Sequence, residues 1–253
     1  MALSPSGCST SPQVLLRLKA SSVLECTAMP PEPTPRFAPW RLAAWLAFVG
    51  ILAALGFLAQ LEDDTPDDLA YRWESSLAAL IQAAIVVGVL LLVTRGLPRR
   101  EVFALRRPRS WPRAVGYAVL ALLAIYIASF IYVVVSNADP TEEQGLLPDG
   151  WDPDRAGALI AFFVAVTVIA PLNEELLFRG AGFSFLAPYG TVVAVVVTGI
   201  LFGVVHGLLE ALPVLAFFGV AVGWLRWKTG SVYPGMLLHG TFNALAVIVA
   251  VTS

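Results

Sequence analysis

The sequence predicts an all-α fold: a polytopic transmembrane helix bundle of about seven or eight spans, with a disordered N-terminal tail. Three observations predict it. Of the 253 residues, 58% are hydrophobic and only 13% are charged, whereas a soluble domain carries roughly 25% charged residues. Seven apolar runs follow one another at about 41–61, 77–94, 114–136, 157–178, 191–209, 211–227 and 234–251. Most reach the roughly 17–25 residues that a helix needs to cross a bilayer, and the sixth is marginal. Most of the charges cluster between the runs.

Residues 1–40 are rich in Ser, Pro and Thr and hold no long apolar stretch, which predicts a disordered tail without the apolar core of a secretory signal. Met29 opens a cleaner start directly before the first run and is the expected initiator. Both cysteines, Cys8 and Cys26, lie in this tail, so neither a disulfide nor thiol chemistry is expected in the membrane body. Residues 41–136 are expected to form three N-terminal spans, and residues 157–251 a second transmembrane block.

The loops set the orientation. Between the first and second runs stand Glu62, Asp63, Asp64, Asp67, Asp68 and Glu74, against Arg72. Between the second and third stand Arg95, Arg99, Arg100, Arg106, Arg107, Arg109 and Arg113, against Glu101. The next loop is acidic again, with Asp139, Glu142, Glu143, Asp149, Asp152 and Asp154 against Arg155, and the sixth and seventh runs are joined through Arg226 and Lys228. Arg-rich loops stay cytoplasmic, so the N-terminus is expected inside. The Arg cluster borders a span and gives no support to nucleic-acid binding; topology is its leading reading, with a lipid head-group or substrate role as the other. Arginine outnumbers lysine fourteen to two, a bias that fits a GC-rich bacterial genome, so a bacterial cell membrane is the expected location.

The last 98 residues hold six charged side chains: Glu174, Glu175, Arg179, Glu210, Arg226 and Lys228. Charge at membrane depth is expensive and usually faces a bundle interior or a wet cavity. On a helix, Glu175 and Arg179 share a face, acid before base, and can neutralise each other. Glu174 points elsewhere and has no partner on its own helix, as a general base requires. The chain's two histidines, His206 and His239, lie in later apolar runs, in Phe202…His206 and His239…Asn243, each pair one turn apart. A lone histidine on an apolar helix is usually a satisfied core residue. One free acid, two histidines and an amide together are the parts of a water-activating hydrolytic site.

These residues resemble the CPBP intramembrane proteases, the family of the type II CAAX prenyl endopeptidases and bacteriocin-immunity proteins. Its three motifs read here Glu174-Glu175…Arg179-Gly180, Phe202…His206 and His239…Asn243, in order and on three runs. The resemblance covers about residues 157–251. It implies that Glu174, helped by His206, activates a water for attack on a peptide carbonyl. It implies that His239 and Asn243 stabilise the oxyanion, and that Glu175, Arg179 and Phe202 support the site. Glu174, His206 and His239 would also make a His2Glu set for a divalent metal such as Zn2+. The adjacent HExxH ligands of zincins are missing, a metal-free glutamate mechanism fits equally, and the reading leans to no tightly bound metal.

Depth poses a problem. His206 lies about 22 Å along its run and His239 only about 8 Å into its own. The motif helix is therefore expected to continue past Arg179 toward Phe185, the fifth span to tilt or start within the membrane, and water to enter from the cytoplasmic side. Three functions fit, in this order: an intramembrane endopeptidase acting on a membrane-associated or lipidated peptide; a scaffold or peptide-binding protein without cleavage; and a small proton-coupled transporter.

Overall fold

The computed structural model describes residues 37–61, 68–137 and 150–252. Every long element among them is helical: α1 (Pro39–Ala59), α2 (Trp73–Val93), α3 (Trp111–Ser136), α4 (Pro153–Tyr189), α5 (Thr191–Val204), α6 (Leu212–Thr229) and α7 (Tyr233–Thr252). Prolines stand in the first turn of α1, α3 and α6, where the missing N–H has no helical partner to lose. Left-handed residues end α3 at Asn137 and α6 at Gly230. Outer faces carry large exposed apolar side chains such as Leu55, Leu92, Phe130 and Val135. Such a surface is an aggregation liability in water and an ordinary one in lipid. The tail's cysteines and Met29, and the acidic residues 62–67 and 139–149, lie outside the described residues. Residues 39 and 40, assigned above to the tail, already belong to α1.

The seven apolar runs map onto seven helices, but they do not all qualify as spans. Five (α1, α2, α3, α4 and α7) are long and apolar enough to cross a membrane. The expected fifth span is corrected: α5 has only 14 residues, roughly 21 Å against a hydrocarbon core of about 30 Å. It ends because the chain turns at Gly207, whose φ of +72° suits a residue without Cβ. A Cβ there would also collide with the Gly56 backbone of α1. After the turn, α6 returns along α5. Gly219 on α6 faces Gly199 on α5, Gly203 on α5 lies against Ala216, Gly223 on α6 lies against Val195, and a Cβ on Gly199 would lie 2.5 Å from the Val220 nitrogen. Small residues four apart let two apolar helices touch backbone to backbone, where packing and not burial from water holds them.

The motif helix does continue, through Tyr189. At about 1.5 Å per residue it measures roughly 55 Å, too long to cross straight. Two π-helical stretches, Ala165–Ile169 and Glu175–Gly182, break its regularity. Its middle packs into the main core, where Trp45 donates from Nε1 to the Leu177 carbonyl at 3.0 Å. Phe178, Phe202 and Phe218 continue that core edge to face and stacked. Arg226 needs correction too. It is not a loop charge: it is 7% exposed on α6, donates from Nε to the Arg179 carbonyl at 3.2 Å and lies over the Phe183 ring. At the end where α1 starts and α2 stops, Arg41 donates to the carbonyls of Val93 and Arg95.

Candidate active site

The site begins with a proline. Pro171 has no N–H, so the preceding turn of α4 keeps unpaired carbonyls. The π-helical stretch at Ala165–Ile169 sits directly before it. Helix α7 docks on those carbonyls. The Asn243 amide donates from Nδ2 to the Val166 carbonyl at 2.8 Å. One turn earlier Gly240 brings the α7 backbone close: a Cβ there would lie 2.6 Å from the Thr167 carbonyl oxygen. The resemblance suggested Asn243 as an oxyanion donor, and the structure spends one of its two N–H groups on holding α7 against α4. Sequence reading missed this link, although a proline inside an apolar run was its visible signal.

The second π-helical stretch carries Glu175 and Arg179, both 0% exposed. Their closest approach is 3.1 Å, from Arg179 Nη1 to Glu175 Oε1. Arg179 also donates from Nη2 to the Gly219 carbonyl of α6 at 2.9 Å, and its guanidinium lies 4.6 Å from the centre of the Phe202 ring. The same Glu175 Oε1 stands 3.3 Å from His239 Nδ1 on α7. One buried carboxylate thereby joins α4 to α7, and its arginine joins α4 to α5 and α6.

Glu174 faces the other way, its side chain 27% exposed, with Oε2 3.7 Å from His239 Nε2. That separation is beyond hydrogen-bond length. Oε2 is itself buried and has no hydrogen-bond partner. His206 is not on α5 as the spacing predicted; it lies in the turn just beyond Val204. Its Nδ1 is 2.7 Å from the Phe202 carbonyl. A carbonyl only accepts, so that contact places the proton on Nδ1 and leaves Nε2 of the neutral ring as an acceptor. Phe202 separates the imidazoles, with ring centres 4.8 Å from His206 and 5.5 Å from His239. The short α5 answers the depth problem: its end delivers His206 to the level that α7 reaches from the other direction.

Two cavities meet at Glu174. One, of about 240 Å³, contains Glu174, His206, His239 and Asn243 with the aromatic rings of Phe202, Phe218 and Phe242 in its wall. The other, of about 260 Å³, extends from Glu174 and His206 toward α1 and α2. The structure thus brings together all four residues named for chemistry, with Glu175 and Arg179 directly behind them. Among the described residues, no group of three His, Cys, Asp or Glu side chains is arranged to hold a metal ion.

Residues 156–245 match the family described as Rce1-like, Type II CAAX prenyl endopeptidase Rce1-like. The match spans the three motif segments and is consistent with the CPBP resemblance read from them. No curated protein and no solved structure matches the chain. With this region and five helices fit to cross a bilayer, the chain is an integral membrane protein.

Proposed function

From a chain whose residues 156–245 match Rce1-like endopeptidases, we propose a CAAX-type intramembrane protease that cuts a membrane-associated peptide by means of an activated water. One observation carries the proposal: Glu174 Oε2 is a buried carboxylate oxygen without a hydrogen-bond partner, in a cavity shared with two imidazoles. A buried acceptor left unmade is costly, and a water or substrate group that satisfies it gains correspondingly.

In the proposed reaction a water donates to Glu174 Oε2 and to His206 Nε2. Glu174 takes its proton as the oxygen attacks the peptide carbonyl carbon. The C=O electron pair moves onto the carbonyl oxygen, which needs hydrogen-bond donors. His239 supplies one from Nε2 in its imidazolium form, in which Nδ1–H is already directed at Glu175. Asn243 retains a second amide hydrogen for the same task. The tetrahedral centre collapses, the C–N bond breaks, and the leaving nitrogen takes the proton from Glu174. Glu175 and Arg179 fix the His239 ring and do not touch substrate.

The test uses the full chain in lipid nanodiscs, presented with synthetic single-span peptides, some prenylated and some not, and read by mass spectrometry. Defined cleavage that disappears in Glu174→Gln supports the proposal. Cleavage that persists at the same rate in that variant removes it. Exhaustive chelation is expected to leave turnover unchanged; a loss restored by zinc alone would overturn the metal-free route.

A further inference from the structure

The cavity toward α1 and α2 contains polar groups that the proposed reaction does not use. Gln82 is exposed on α2 and forms no hydrogen bond with any described residue, although it lies about 14 Å along the helix, in a stretch that is otherwise apolar from Leu77 to Val93. Asn173, in the same wall, donates from Nδ2 to the Ile169 carbonyl at 2.9 Å, and its Oδ1 is buried with no partner. Apart from Glu174 and His206, the remaining wall is apolar, with Leu52, Val86, Leu177 and Phe178. The cavity therefore offers a buried acceptor and a free carboxamide, and its charge comes from Glu174 at the mouth. An anionic ligand would meet the like charge of Glu174, while a neutral ligand with both a donor and an acceptor is matched by the two carboxamides.

An unwound peptide is such a ligand. A bond inside a helix cannot be reached by a water on Glu174 until the helix opens, and opening frees main-chain N–H and C=O groups. In hydrocarbon each such group needs a partner or costs several kcal/mol. We propose that Gln82 and Asn173 bind the unwound main chain of the substrate on the α2 side of Glu174. Asn173 Oδ1 accepts one peptide N–H, and the Gln82 carboxamide pairs with the neighbouring peptide unit. The aromatic cavity across Glu174 takes the apolar side chains on the other side of the scissile bond. This rests on the peptidase reading and adds a direction to it: the substrate crosses from α2 toward α7.

The test uses the full chain in nanodiscs, the same synthetic single-span peptides, and analogues methylated at one peptide nitrogen at a time. Turnover is measured on the unaltered protein and binding on the Glu174→Gln variant. Gln82 is exposed and unpartnered, so Gln82→Leu is expected to fold. It should weaken binding and raise KM about three- to tenfold, the worth of a neutral hydrogen bond, with kcat nearly unchanged. Methylation at one position should weaken binding to the parent and have less effect once Gln82 is leucine. Asn173→Leu should act in the same direction at the adjacent nitrogen.

Equal affinity for parent and Gln82→Leu, or an unchanged methylation penalty, overturns the inference even if cleavage occurs, and the peptidase reading then stands without it. Binding that depends on Gln82 without any cleavage supports the main-chain seat and removes the peptidase reading. Failure of every peptide to bind overturns the seat.

Discussion

Two ionic networks in this protein use similar chemistry in opposite surroundings. At the junction of α2 and α4, Arg72 pairs with Asp68 at 2.8 Å, and Arg155 pairs with Asp68 and Asp152 at 2.6 Å each. Arg155 also covers the Tyr71 ring, and the Tyr71 hydroxyl donates to the Gly150 carbonyl. Every charged member is a third to a half exposed. In the bundle interior, Arg179, Glu175 and His239 form a chain that is almost fully buried. The exposed network satisfies its charges several times over. The buried one leaves Glu175 Oε2 and Arg179 Nε without hydrogen-bond partners. Water can replace the first network at little loss. Nothing can replace half of the second, since removing one partner strands a buried charge. A charge pair this costly persists where it positions something, and here it holds the His239 ring beside Glu174.

The comparison is most sharply tested at its functional end. Glu174→Gln should reduce turnover at least about 100-fold, the lower bound for losing a general base, with little change in thermal midpoint. Glu175→Gln should act oppositely, destabilising the protein by about 3–5 kcal/mol because Arg179 is left buried and unpaired. The double change Glu175→Leu with Arg179→Met should recover part of that loss, read by thermal unfolding in detergent; no recovery would mean the pair is not the source. Asn243→Leu removes the donor to Val166 and leaves a buried carbonyl unpaired, a loss of about 1–3 kcal/mol in the same assay.

The smallest effect belongs to the exposed network. Arg155→Ala should leave the midpoint unchanged within error and accelerate amide exchange only around residues 68–72 and 152–155. Its pH dependence has a definite sign. The hydrogen bond from Arg72, and a further one from Arg155, hold the Asp68 carboxyl below its ordinary value of 3.8, and the hydrogen bond from Arg155 does the same for Asp152. A lowered folded value contributes stability above the unfolded value and loses it as pH falls through the folded one. Protection at this junction should therefore be constant near neutrality and fall below about pH 4, after correction for intrinsic exchange; loss already near pH 6 would contradict the assignment.

Much of this was visible in one dimension. Seven apolar runs became seven helices, and the expected continuation of the motif helix past Arg179 was correct and slightly too short. The i, i+4 spacing anticipated the contact of Glu175 with Arg179, because that pair needs only local geometry. The end of α5 was not read, although Gly207 marked it, since an apolar run does not show where a backbone turns. Arg226 looked like a loop charge because its position beside Lys228 resembles a helix end, and only Phe183 and the Arg179 carbonyl show it to be interior. The GxxxG spacings at Gly199–Gly203 and Gly219–Gly223 were legible and went unused.

Sequence alone determined that this is a membrane helix bundle with one acid–histidine constellation, because hydropathy and the cost of buried charge act residue by residue. Tertiary structure decided the rest: that Glu175 also reaches His239 on α7, that a short α5 sets His206 at the depth of His239, and that a proline break in α4 binds α7 through Asn243. Those outcomes depend on contacts between segments far apart in the chain, and helical periodicity carries no information about which distant carbonyl an amide will find.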